Sequence, residues 1–173
     1  MNSKNLSLVL VILVAALSRL IPHAPNFTPI IAMGLFSGFY FRNNKSLAIV
    51  LPLAAMFIAD IFIGFYLISL FVYIALAFVV FVGLIIPNDR DTTSFRNILF
   101  GSLAGSAVFF IISNFGVFLI GYPKSISGFM VCYTAAIPFF QTSISADLLF
   151  TTFMFLSYDV IRNSIPQLNP DIA

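Results

Sequence analysis

The chain is poor in everything that makes a protein soluble or catalytic. Glutamate and tryptophan are absent, cysteine and histidine occur once each, and only 8% of the 173 residues are charged. A soluble domain carries about 25% charged residues, so this chain cannot cover a water-facing surface. One cysteine excludes an internal disulfide, and no CxxC metal or redox motif exists. A net charge of +2 is too small for a nucleic-acid surface. There is no P-loop, HExxH or GxSxG, so neither ATP hydrolysis nor a familiar hydrolytic site is expected, and no enzyme or cofactor is assigned. What remains is apolar: 61% of residues are hydrophobic, 22 of them phenylalanine, and the mean hydropathy is +1.08. Such a composition belongs in a bilayer. Without tryptophan, Tyr40, Tyr66, Tyr122 and Tyr158, each near an expected helix end, are the candidates for interfacial anchors.

A hydrocarbon core of about 30 Å needs about 20 apolar residues per helix. The pattern predicts an all-α membrane protein forming a single transmembrane domain over 1–173, with spans at 6–22, 26–41, 46–64, 68–87, 97–121 and 143–165. Residues 46–87 are almost continuously apolar and would be about 60 Å long as one helix, so they fold back on themselves, with Gly64 to Ser69 as the hairpin. Residues 126–140 are short for a span and interrupted by Gly128 and Pro138. They read as a seventh, short outer interfacial or re-entrant helix. With both termini cytoplasmic, Lys4, Arg42, Lys45, Arg90, Arg96 and Arg162 fall inside, and only Arg19 and Lys124 outside. The competing reading of the N-terminus is a cleaved signal peptide ending near Ala15 to Ser18. Two GxxxG pairs, Gly34/Gly38 and Gly101/Gly105, mark close helix contacts, within this bundle or to a membrane partner.

A charge at a helix centre costs about 2.5–3.5 kcal/mol on insertion scales, so the polar groups inside the spans are informative. Counted from the outer helix ends at 1.5 Å per residue, Arg19 lies about 5 Å down, Asp60 about 6–9 Å, Asn114 about 10 Å and Asp147 about 6 Å. All four fall in the outer third, on four different helices, with His23, Asn26 and Thr28 in the first outer loop. A substrate-binding set of Arg19, His23, Asn26, Asp60, Asn114, Tyr133 and Asp147 open to the outside is expected. Arg19 can pair with either aspartate, leaving one acid in excess that protonated His23 would balance. Three functions fit: capture of a small molecule from the outer face; a non-transporting structural or assembly protein in which the charges lock helices together; and an ion- or proton-coupled carrier using Asp60 and Asp147. The carrier fits less well, because such sites lie near the midplane. Cys132 reads as a small apolar filler or as a soft metal ligand, for instance to a cobalt corrinoid.

The run from Ala16 through Arg19 and His23 to Pro29, the segment Leu51 to Asp60 with Gly64, Ser113-Asn-Phe-Gly116, and Cys132 to Phe140 with Asp147 resemble an uncharacterised bacterial multi-pass membrane protein family. That family in turn is similar to the substrate-binding (S) components of energy-coupling-factor transporters. The resemblance implies an S-component-like bundle in the bacterial inner membrane that takes up a vitamin-type micronutrient. It implies as partners, besides lipid, a transmembrane coupling subunit and an ATPase pair. No nucleic acid is implied.

Overall fold

The structure, a computed structural model, describes residues 3–22, 24–88 and 93–164. Among them the chain is all-helical: α1 (Ser3–Ser18), α2 (Ile30–Tyr40), α3 (Lys45–Ile63), α4 (Ser69–Ile85), α5 (Phe95–Gly121) and α6 (Ile126–Ser164). α3, α5 and α6 are long and apolar enough to cross a membrane, while α1, α2 and α4 are shorter apolar helices. Large apolar side chains such as Val14, Phe62, Phe81, Phe115 and Phe153 are exposed on the outside of the bundle, a surface suited to lipid rather than water.

Local signals place the ends. Asn44 Oδ1 accepts from the Leu47 amide at 3.0 Å to cap α3, and Ser94 Oγ accepts from the Asn97 amide at 3.3 Å to cap α5. Gly64 leaves α3 at φ +102, a backbone conformation that a side chain would strain, and the chain turns into α4 at Ser69, the hairpin expected there. Lys124 donates to the Phe118 and Tyr122 carbonyls at 3.0 and 3.1 Å, and also to that of Leu119, satisfying the open carbonyls at the end of α5.

The centre of the molecule is α2. It has 11 residues, about 16 Å of helix, roughly half a bilayer core. Ile31 to Tyr40 are all buried, and α2 touches every other helix. It runs parallel to α4, and the two backbones meet closely. A methyl group on Gly38 would overlap the Val80 carbonyl, and one on Gly83 would overlap that of Leu35. Gly101 and Gly105 likewise face Ile86, Ile31 and Leu35, so both GxxxG pairs serve packing inside the bundle. Pro52 within α3 has no amide for the Ala48 carbonyl; Ser37 Oγ of α2 donates to that carbonyl instead, at 2.7 Å.

Two expectations change. Residues 126–140 and 143–165 are not a short outer helix plus a span. They form one 39-residue helix, α6, with Pro138 inside it. A proline deletes one intrahelical bond, but α6 is held to α5 on both sides of Pro138, by Tyr133 at Ile111 and by Asp147 at Ser106, and this packing carries the helix through the proline. α6 is therefore about 58 Å of continuous helix. Second, Tyr40 and Tyr158 are not interfacial anchors. They are buried and pack against Phe36, Phe39 and Phe155, with Tyr40 and Tyr158 rings 4.6 Å apart and Phe39 and Phe155 rings 5.2 Å apart. This solid aromatic cluster fills one end of the bundle, where Arg42 Nη2 donates to the Ile86 carbonyl at 2.7 Å. The other end is hollow.

Candidate functional site

The hollow follows from unequal helix lengths. α2 begins only at Ile30, so the volume above its N-terminus is left to the connection 19–29 and the walls of α3 to α6. Two cavity lobes, of about 280 Å³ and 320 Å³, open there and share Asn26, Ile31, Ile68, Val72, Phe109 and Ser143. The first lobe holds the charged groups, with Arg19, Asp60 and Asp147 on its walls beside Thr28 and Ser69. The second is aromatic, walled by Phe110, Phe139 and Phe140, with Asn114 at its edge.

Arg19 follows the last residue of α1, and its Nη1 lies 2.9 Å from Asp60 Oδ1 on α3; both side chains are nearly enclosed. Tyr73 of α4 donates to Asp60 Oδ2 at 2.8 Å. Three elements thus converge on one carboxylate. Arg19 Nε, also enclosed, has no acceptor among the described residues, so the guanidinium keeps donor capacity at the cavity wall. Asn26 sits at φ 62, a left-handed conformation that asparagine tolerates better than most residues. The neighbouring Phe27 anchors the connection with its ring 5.4 Å from that of Phe150 on α6.

Asp147 lies across the cavity on α6, 2% exposed. The Ser106 hydroxyl of α5 is within hydrogen-bond distance of two acceptors, Asp147 Oδ2 at 2.7 Å and the Ser102 carbonyl at 2.9 Å. No cation pairs with Asp147 among the described residues. Its depth departs from expectation. Asp147 faces Ser106, about four turns from the Gly121 end of α5 and about three from the Phe95 end, or about 22 Å and 16 Å. It therefore stands near mid-height rather than in an outer third. The earlier depth assumed a helix starting at 143, whereas α6 starts at Ile126.

The structure brings Arg19, Asn26, Asp60, Asn114 and Asp147 around one composite cavity. His23 lies outside the described residues, as do Arg90 and residues 165–173. Asn114 donates from Nδ2 to the Phe110 carbonyl at 2.8 Å, within its own helix. Tyr133 does not line either lobe. Its hydroxyl donates to the Ile111 carbonyl at 2.7 Å and its ring packs 4.4 Å from that of Phe129, so it joins α6 to α5. Cys132 is buried in the same interface, with Sγ 3.6 Å from the Asn114 carbonyl. No group of three or more His, Cys, Asp or Glu side chains able to hold a metal occurs among the described residues. Two participants escaped sequence reading, Tyr73 and Ser106. Their only signal is position: a phenol and a hydroxyl on otherwise apolar helix faces.

A family model matches residues 1–168, nearly the whole chain. The chain belongs to DUF6580, a family of unknown function. No curated protein and no solved structure matches it. The membership agrees with the resemblance to an uncharacterised family, while the further likeness to S components gains no support from these comparisons.

Proposed function

We propose that this protein is an integral membrane protein that captures a small amphipathic molecule in the two-lobed cavity and acts as the substrate-binding part of a transport system. The observation that carries the reading is the convergence of Arg19, Asn26, Asp60, Asn114 and Asp147, from the 19–29 connection, α3, α5 and α6, on one cavity. The first lobe suits a hydrogen-bonding head, met by Arg19 with its unused donor. The aromatic lobe suits a ring or short apolar body, held by Phe110, Phe139 and Phe140. The charge distribution orients the cavity outward, with both termini in the cytoplasm of a bacterial cell and all six helices in the bilayer. Combined, the lobes fit a compound of vitamin size. Energy would come from a coupling subunit and ATPase pair, or from an ion gradient.

The test is thermal unfolding of purified protein against a panel of water-soluble vitamins and amino-acid derivatives. A ligand at 100 times its Kd raises stability by about 2.7 kcal/mol. Ser143 lines both lobes, so Ser143→Phe should obstruct their junction and remove the shift. A shift that persists in Ser143→Phe places the binding site elsewhere. If no compound shifts the wild type, the Arg19–Asp60–Tyr73 contacts are better read as a helix lock in a structural or assembly protein.

A further inference from the structure

We propose that Asp147 is a proton-binding site on the cavity floor: it holds a proton at neutral pH, and loss of that proton switches the cavity from neutral to a net charge of −1. Coupling of the proton to a ligand rests on the capture reading above; the proton itself does not, and the experiment below reads the proton alone.

Hydrogens come first. Ser106 Oγ lies 2.7 Å from Asp147 Oδ2 and 2.9 Å from the Ser102 carbonyl. A serine hydroxyl has one hydrogen, and a carbonyl and an ionised carboxylate are both acceptors only. Ser106 cannot serve both. With a proton on Asp147 the chain closes: the carboxyl donates to Ser106 Oγ, and Ser106 donates to its i−4 carbonyl at Ser102, a bond that serines in helices commonly make.

Charge comes second. A carboxylate enclosed without a cation is strongly disfavoured in a low-dielectric setting and takes up a proton instead. No cation among the described residues stands beside Asp147. On the cavity wall Arg19 is engaged by Asp60, and Tyr73 of α4 is bonded to the same aspartate. α2 contributes no charged side chain. Arg96 of α5, Lys4 of α1, and Asp159 and Arg162 of α6 stand toward the opposite end of their helices. His23 lies outside the described residues. With Arg19 and Asp60 cancelling, the charge of the lobe is set by Asp147.

What lies beneath comes third. Ser102 and Thr151 stand one turn further from the cavity on α5 and α6, the next positions in the antiparallel register after Ser106 and Asp147. Both residues are wholly buried, and both hydroxyl oxygens lack a partner among the described residues. Enclosed hydroxyls that can each donate and accept extend the polar line inward from Asp147 along the α6 face that continues to Tyr158 and Arg162. Mid-height is also where ionisable groups of coupled carriers lie. The chemical step is simple. The Asp147 O–H bond breaks, its electron pair stays on the carboxylate, and H⁺ passes to water in the cavity. A ligand bearing one positive charge then meets a site of opposite charge, so the two cations exclude each other.

The experiment is infrared difference spectroscopy on the full chain in lipid bilayers, stepping pH upward from neutral. The expected result is a protonated-carboxyl carbonyl band at neutral pH that shifts in D₂O and disappears at alkaline pH. The band should be missing in Asp147→Asn, retained in Asp60→Asn and Asp159→Asn, and displaced in Ser106→Ala, which removes the carboxyl's acceptor. A wild type without such a band at neutral pH overturns the proposal, whatever the variants do. So does a band that neither Asp147→Asn nor Ser106→Ala alters. Failure of every vitamin to bind would sink the capture reading and leave this result intact.

Discussion

Asp60 and Asp147 are equally hidden, at 3% and 2% exposure, and both line the first cavity lobe. They are treated in opposite ways. Asp60 receives a guanidinium and a phenol from two other elements, so its charge is compensated on both oxygens. Asp147 has one neutral hydroxyl beside it, to which its own proton is donated. The first arrangement ties the end of α1 to α3 and α4. The second leaves the charge open to change. A buried acid with its partners in place is architecture; a buried acid without them, facing a cavity, is a switch. The same lobe contains both, which is why the function of neither follows from its burial alone.

The contrast breaks most visibly at Arg19. Arg19→Ala strands Asp60, and removing one member of a buried pair costs about 3–5 kcal/mol. Thermal unfolding in detergent should show this as the largest loss among the site variants. Arg19→Ala combined with Asp60→Ala should recover part of it, since no charge is then left alone. A double variant as unstable as the sum of its parts would mean that the pair is not coupled. Tyr73→Phe comes next. It removes a hydrogen bond to a charged acceptor, worth about 1.5–3 kcal/mol, without disturbing the ring. A loss well below that range would show that water takes over the phenol's place at Asp60 Oδ2.

How far the sequence foretold this contrast depends on which residue is asked. The cost of a charge in an apolar helix made Arg19, Asp60 and Asp147 conspicuous, and the turn chemistry of Gly64 to Ser69 located the α3–α4 hairpin. Which aspartate Arg19 would choose was not legible. That choice is tertiary, made by Tyr73 and by the unwound end of α1. Ser106 was invisible because a serine in a helix can bond its own i−4 carbonyl and sits in an apolar run at little cost. The shortness of α2 was also hidden, because 26–41 carries no charge and only Asn26, Thr28 and Pro29 hint that helix begins after them. The error at 126–165 had one source. Gly128 and Pro138 read as interruptions, but with α5 alongside, no break forms. Asp147 was thereby placed several turns too close to the helix end. Beside the middle of α5, Asp147 is not barred from a coupling role by its position, whereas Asp60 is engaged by Arg19 and Tyr73.

The smallest expected effect is the most discriminating. Asp147→Asn should change stability by no more than about 1 kcal/mol, because the amide is close in volume to a neutral carboxyl and its Nδ2 donates to Ser106 Oγ as the carboxyl does. Asp60→Asn, by contrast, should cost clearly more, because it leaves the Arg19 guanidinium without its counter-charge. Were Asp147 ionised instead, the amide would remove an uncompensated buried charge, and the variant would be more stable than the wild type by several times that margin. Asp147→Leu separates the remaining possibility. With Asp147 neutral, Leu takes away only one hydrogen bond and leaves Ser106 donating to Ser102, so its cost should stay near about 1–2 kcal/mol. Unfolding curves of the three variants beside the wild type, at one neutral pH, therefore measure whether the two acids differ in charge as they differ in company.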